Sequence, residues 1–167
     1  MVATSTAQGP LGVQLDRLVV KARNDKGGAI TAGDLVQFGN TSGISVDPSD
    51  VNWFLGVVIA PVALYNSYGI FGIAQEDIAS GETGEVLVRG YAQANVIEDN
   101  GGTPGAGAVG TKLSPAGGAN LDVLSGPNDA GAGDKVVAIG LEAVADITVE
   151  EKVWVLFEGL HGFGVNQ

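Results

Sequence analysis

"QEDIASGETGEVLVRG" (Gln75–Gly90) decides the fold. Its acidic entry runs into Ser-Gly-Glu-Thr-Gly, residue types that accept positive φ or fold back onto their own backbone. Beyond that turn Val86 and Val88 alternate with Leu87 and Arg89 until Gly90. A period of two is that of a strand, so the stretch reads as a β-hairpin. The same grammar returns near the end of the chain in "GLEAVADITVEEKVWVLFEG" (Gly140–Gly159), where Val155–Gly159 aligns with Val86–Gly90. The preceding pieces also correspond: "AGDLVQF" then "FLGVVIA" parallels "VGTKLSP" then "VVAIGLE". Convergent hairpin chemistry is one account of this echo. The other, adopted here, is two pseudo-repeated β units closing one barrel.

Outward from the hairpin, the pattern is of short strands separated by turns. "LVVKAR" (Leu18–Arg23) puts Val20 and Ala22 inward and Lys21 and Arg23 outward. "NDKGG" and Ala32-Gly33-Asp34 are turns, and Leu35–Phe38 is a strand. Trp53–Ala60 is apolar on both faces, as a strand covered on both sides would be, with Gly56 and Pro61 opposing a helix. Further strands are expected at Ile70–Ala74, from Val86 on toward Val96, and at Lys112–Leu113, Leu121–Leu124, Val136–Leu141 and Lys152–Phe157. Helix is limited to a turn or two near Leu141–Ala145 or Pro48–Asn52. These features predict an all-β chain, a small antiparallel barrel or sandwich with an extended N-terminal arm. The arm, residues 1–17, is small and polar and is read as flexible; residues 18–160 form one β domain; residues 161–167 are a C-terminal tail. Glycine-rich loops at 98–110 and 125–134 interrupt the second half.

Composition narrows the function. Of 167 residues 27 are glycine and 6 proline, below the ~25–30% of low-complexity disorder, so the chain folds but turns often. A net charge of −11 opposes a sequence-independent grip on nucleic acid or on an anionic membrane. Within that acidic chain Arg17, Lys21, Arg23 and Lys26 cluster near the N-terminus, as a solvated strand face or as a contact for an acidic partner. Cysteine is absent, so disulfides and thiolate metal sites are too. The N-terminus lacks the basic start and apolar core of a secretory signal. Trp53–Tyr65 is thirteen residues, short of the ~20 that span a bilayer.

No reaction chemistry emerges. "GAGAVG" (Gly105–Gly110) has the glycine spacing of a dinucleotide loop, but a Gly-Pro loop precedes it and Pro115 blocks the helix that must follow. His161 is the single histidine and no G-x-S-x-G serine elbow exists. Glu76, Asp77, Glu82 and Glu85 surround one hairpin turn, where carboxylates serve solubility more readily than a two-carboxylate hydrolysis. Asp47 and Asp50, and Glu98, Asp99 and Asn100, offer hard oxygens without the spacing of a calcium loop. No cofactor or metal is expected, and the chain is not expected to be an enzyme. Trp53, Phe54, Tyr65, Tyr68 and Phe71 form either core or an oligomer interface, with core preferred.

The combination of "GIAQEDIASGETGEVLVRG", "AGDLVQF" and "VVAIGLEAVADITVEEKVWVLFEG" resembles bacteriophage capsid decoration proteins, also called cement or head-stabilising proteins, over about Leu18–Gly159. The resemblance implies a β-tulip-like domain and a homotrimer on the outer surface of an expanded capsid, with the major capsid protein lattice as partner. It implies a virion component, present in the host cytoplasm during assembly. An N-terminal arm of such proteins adds a strand to the coat protein, which makes Leu11, Val13, Leu15, Arg17, Lys21 and Arg23 the candidate capsid-binding residues. The long glycine-rich loops and the Trp53–Tyr65 run depart from that pattern. A different virion surface module, such as a head-fibre base or a receptor- or glycan-binding domain, is the alternative; a β-fold hydrolase is a more distant one.

Overall fold

The computed structural model describes residues 3–8, 14–24, 28–38, 56–59, 70–97, 108–115, 121–123, 136–143 and 150–159. The described residues contain ten strands and no helix. In chain order they are β1 (Ala3–Gln8), β2 (Gln14–Asn24), β3 (Leu35–Phe38), β4 (Gly56–Ile59), β5 (Ile70–Ala74), β6 (Thr83–Ile97), β7 (Lys112–Pro115), β8 (Leu121–Val123), β9 (Ala138–Gly140) and β10 (Glu151–Glu158). They form one sheet in the order β1-β2-β4-β3-β5-β6-β10-β9-β7-β8, with additional pairings of β2 with β6 and β6 with β8. The all-β expectation holds. The pairing is antiparallel except at β2–β4 and β6–β8.

Those additional pairings close the sheet on itself twice. β2, β4, β3, β5 and the first half of β6 make one ring, shut by the β2–β6 ladder from Leu18↔Arg89 to Arg23↔Thr83. The second half of β6 with β10, β9, β7 and β8 makes the other, shut by the parallel contact Val96↔Leu121. Strand for strand the rings correspond: β2 to β6, β3 to β7, β4 to β8, β5 to β9 and β6 to β10. Every pairing keeps its direction, including the parallel one. The pseudo-repeat is thus present as two small barrels sharing β6, where the sequence suggested two units closing one. The alignment also shifts: "FLGVVIA" holds β4, whose counterpart is β8, while "VVAIGLE" holds β9, the counterpart of β5.

Turns repeat as faithfully as strands. Asp34 N–H donates to Thr31 O at 3.0 Å, and Thr111 N–H to Ala108 O at 3.0 Å. Gly33 (φ 98) and Gly110 (φ 91) occupy the same place in these turns, in the left-handed region that favours glycine. Gly33 N–H donates to Ala74 O and Gly110 N–H to Gly140 O, both at 2.8 Å. Long β6 is re-aimed between the rings by a bulge: Leu18 pairs with Arg89 but Val19 with Leu87, leaving Val88 as the extra residue.

Alternation along the strands sorts the core. Ala22, Ile30, Val36, Ala74, Ile78 and Val86 fill the first barrel, with Val20 and Phe38 packed against them. Their strand neighbours Leu35, Ile73 and Leu87 point to the opposite face. They join a larger cluster with Phe71 and with Ala92, Ala94, Val96, Leu113, Val153, Val155 and Phe157 of the second barrel. The outer wall of one barrel is therefore the floor of the other, which makes the pair a single packed body. Burial of these side chains, at about 1.5–3 kcal/mol each, is what holds the junction.

Strand boundaries differ from expectation at a few places. The described part of 1–17 contains β1 and the start of β2, paired antiparallel from Ala3↔Val19 to Gln8↔Gln14; the boundary drawn at Leu18 falls inside β2. Leu141 and Glu142 form a bend in which Leu141 N–H donates to Trp154 O at 2.8 Å, and Ala143 is not helical; Val144 and Ala145 lie outside the described residues. Pro48–Asn52, the 125–134 loop, residues 98–107 of the other loop and the 161–167 tail lie outside the described residues.

Candidate functional site

Of the six residues assigned to capsid contact, Leu11 and Val13 lie outside the described residues, and Leu15 is placed on β2 opposite Ala7. Lys21 and Arg23 are exposed on β2, two residues apart, so they share one face of the strand. Arg17 is placed differently from Lys21 and Arg23. Its guanidinium donates to Gln75 Oε1 at 2.6 Å and lies 5.8 Å from the centroid of the Tyr91 ring. It is part-buried at the seam between the barrels, while Lys21 and Arg23 remain exposed.

That seam holds a cleft of about 310 Å³. Its floor is the outer face of the β6–β10 ladder, where Trp154 pairs with Gln93 and Leu156 with Tyr91. The Tyr91 and Trp154 rings meet at 6.0 Å and 49°. One wall is Arg17 with Gln75, itself pinned by Nε2 donating to Ile73 O at 2.9 Å. The other is the 31–34 turn: Gly33 O accepts from Asn95 N–H at 2.9 Å, and Asp34 Oδ1 from Asn95 Nδ2 at 2.9 Å. Lys152 stands exposed at the rim. Among the described residues, those that line the cleft include no carboxylate; Asp34 is held behind the turn by Asn95. Of the residues that line it, Arg17 Nε and Tyr91 Oη are buried without a hydrogen-bond partner.

The sequence contained only part of the signal for this cleft. Alternation in "EKVWVLFEG" places Lys152, Trp154 and Leu156 on one face, but bringing Trp154 opposite Gln93 requires the β6–β10 register. Arg17 and Gln75 are brought together across 58 residues of sequence.

Two of the hairpin carboxylates have structural duties. Glu76 Oε1 accepts the Glu85 N–H at 2.9 Å, and Asp77 Oδ1 accepts the Ala32 N–H at 2.8 Å. The repeat reproduces the first: Glu142 Oε1 accepts the Trp154 N–H at 2.7 Å. Glu82 and Glu85 are exposed. Phe71 is wholly buried, while Trp53, Phe54, Tyr65 and Tyr68 lie outside the described residues, as do His161, Gly105, Gly107 and the acidic groups near Asp47 and Glu98. Val109, on the turn matching Ala32, is 68% exposed: the first barrel's turn rests on the second barrel, whereas among the described residues nothing covers this one.

No family model matches the chain, and no curated protein matches it. Among solved structures it is similar to the crystal structure of the head fiber gp8.5 N base of bacteriophage phi29. That likeness has a TM-score of 0.48 and 14% sequence identity, covering 90% of this chain and 98% of that one.

Proposed function

We propose that the chain is a structural protein of a bacteriophage virion that binds the outer surface of the expanded capsid and stabilises the shell. It acts as a homotrimer on the major capsid protein lattice and carries out no reaction. The motif resemblance of the hairpins and of "AGDLVQF" supports this reading, and so does a body whose turn acids Glu76 and Asp77 are spent on holding backbone N–H groups.

The observation that carries it is the N-terminal hairpin. From Gln14 to Arg17, β2 pairs with β1 alone among the described strands, and only from Leu18 does β6 take its other edge. An edge of unpaired backbone donors and acceptors accepts a further strand, which gives main-chain hydrogen bonds without a dedicated pocket. Lys21 and Arg23, exposed farther along the same strand, add electrostatic attraction to an acidic surface and so speed encounter. A ligand that binds only the expanded lattice stabilises it by mass action, and the contacts of many copies sum over a closed shell.

The test is loading of a truncated chain. Removing Met1–Arg17 deletes β1 and the free-edged part of β2 but keeps the β2–β6 ladder that starts at Leu18, so the shortened protein folds. Mixed with expanded empty heads and sedimented, it is expected to stay in solution while the full chain pellets. Equal pelleting of the two would refute the hairpin as the attachment point.

A further inference from the structure

The seam cleft has a chemistry of its own. We propose that it binds one acidic sugar unit, a pyranose bearing a carboxylate, independently of any capsid loading. Three observations converge. In a chain with a net charge of −11, the cleft is lined by Arg17 and Lys152 and, among the described residues, by no acid, so it is a local site for a single negative charge. The Trp154 ring, half-buried beside Tyr91, offers an apolar surface to the C–H face of a sugar, with the Gln75 and Gln93 amides alongside for hydroxyls.

The third observation is the pattern of unmet hydrogen bonds. Arg17 Nε–H and Tyr91 O–H, both on residues that line the cleft, are buried donors that lack an acceptor. Buried polar groups in folded proteins are nearly always paired, and each exception calls for a missing partner. A carboxylate supplies acceptors for such donors, and the sugar ring that carries it supplies the apolar face that Trp154 fits. An acidic protein side chain would meet the charge but leave the Trp154 face uncovered.

The experiment is a ¹H–¹⁵N NMR titration of the free full chain with sodium glucuronate, methyl glucoside and sodium acetate, each up to about 50 mM. The Trp154 indole signal is assigned by its loss in Trp154→Phe. Glucuronate is expected to shift that signal and the Gln75 and Gln93 side-chain amides saturably, with the glucoside and acetate binding about tenfold more weakly or worse. Lys152→Gln, a change at an exposed side chain that leaves the fold intact, weakens glucuronate about threefold to fivefold. Equal responses to acetate and glucuronate would reduce the cleft to a plain anion site and overturn the proposal, as would an unmoved Trp154 signal throughout. Because no capsid is present, neither result depends on the attachment reading above.

Discussion

The turns at Gly33 and Gly110 allow backbone strain to be separated from a side-chain clash within one molecule. Both glycines have positive φ, at 98 and 91 degrees, and both make the same hydrogen bond to the partner strand. A Cβ built on Gly110 meets nothing within 4 Å, whereas one on Gly33 comes to 2.8 Å from Asn95 Oδ1. Gly110→Ala therefore costs the left-handed conformation alone, about 1–2 kcal/mol. Gly33→Ala costs that and also displaces Asn95, whose Nδ2 holds Asp34 Oδ1 at 2.9 Å. A hydrogen bond to a charged acceptor adds about 1.5–3 kcal/mol. For a domain of this size each kcal/mol lowers the melting temperature by about 2–4 °C. Urea and thermal unfolding should place Gly33→Ala below Gly110→Ala by about 2 kcal/mol. In an Asn95→Ala background the added cost of Gly33→Ala should fall to that of Gly110→Ala, since the bond it disturbs is already gone. Equal losses for the two single variants, or no coupling in the double, would refute the claim that the first turn is locked against the second barrel.

Phe157→Ala, at a fully buried site in the larger cluster, should destabilise the chain by about 3–5 kcal/mol in chemical denaturation; under about 1 kcal/mol would mean the barrels do not share that core. Glu76→Ala and Glu142→Ala each remove a carboxylate from one backbone N–H and should cost about 1 kcal/mol apiece. Amide exchange should quicken at Glu85 in the first and at Trp154 in the second, and a response confined to one barrel would break the equivalence. Reversing Lys21 and Arg23 to Glu should slow capture of the chain by expanded heads and flatten its salt dependence; an unchanged ionic-strength profile removes both from the interface.

Much of this architecture was legible in the residues. Leu35–Phe38 and Ile70–Ala74 were placed to the residue, because turn chemistry at Asp34 and Gln75 brackets a clear run of apolar side chains. The doubling was legible through Val86–Gly90 and Val155–Gly159, where strand and terminal glycine recur together. What the sequence withheld was closure. β4 and β8 touch β2 and β6 through only short parallel contacts such as Arg23↔Gly56 and Val96↔Leu121, which leave no periodicity to read. For the same reason "VVAIGLE" was matched to "FLGVVIA": both are short apolar runs, and only pairing tells β9 from β8. What separates Arg17 from Lys21 and Arg23 on β2, the Val88 bulge and the approach of Gln75, arises from elsewhere in the sheet and leaves no local trace. The cleft needed registers across β6 and β10, which no local pattern encodes.

Calorimetry of expanded empty heads, with and without the purified chain, tests the central functional claim most directly. Attachment and stabilisation predict that the shell's melting temperature climbs with added protein and levels off once every lattice site is filled. Shells that melt at the same temperature under saturating protein would contradict the account.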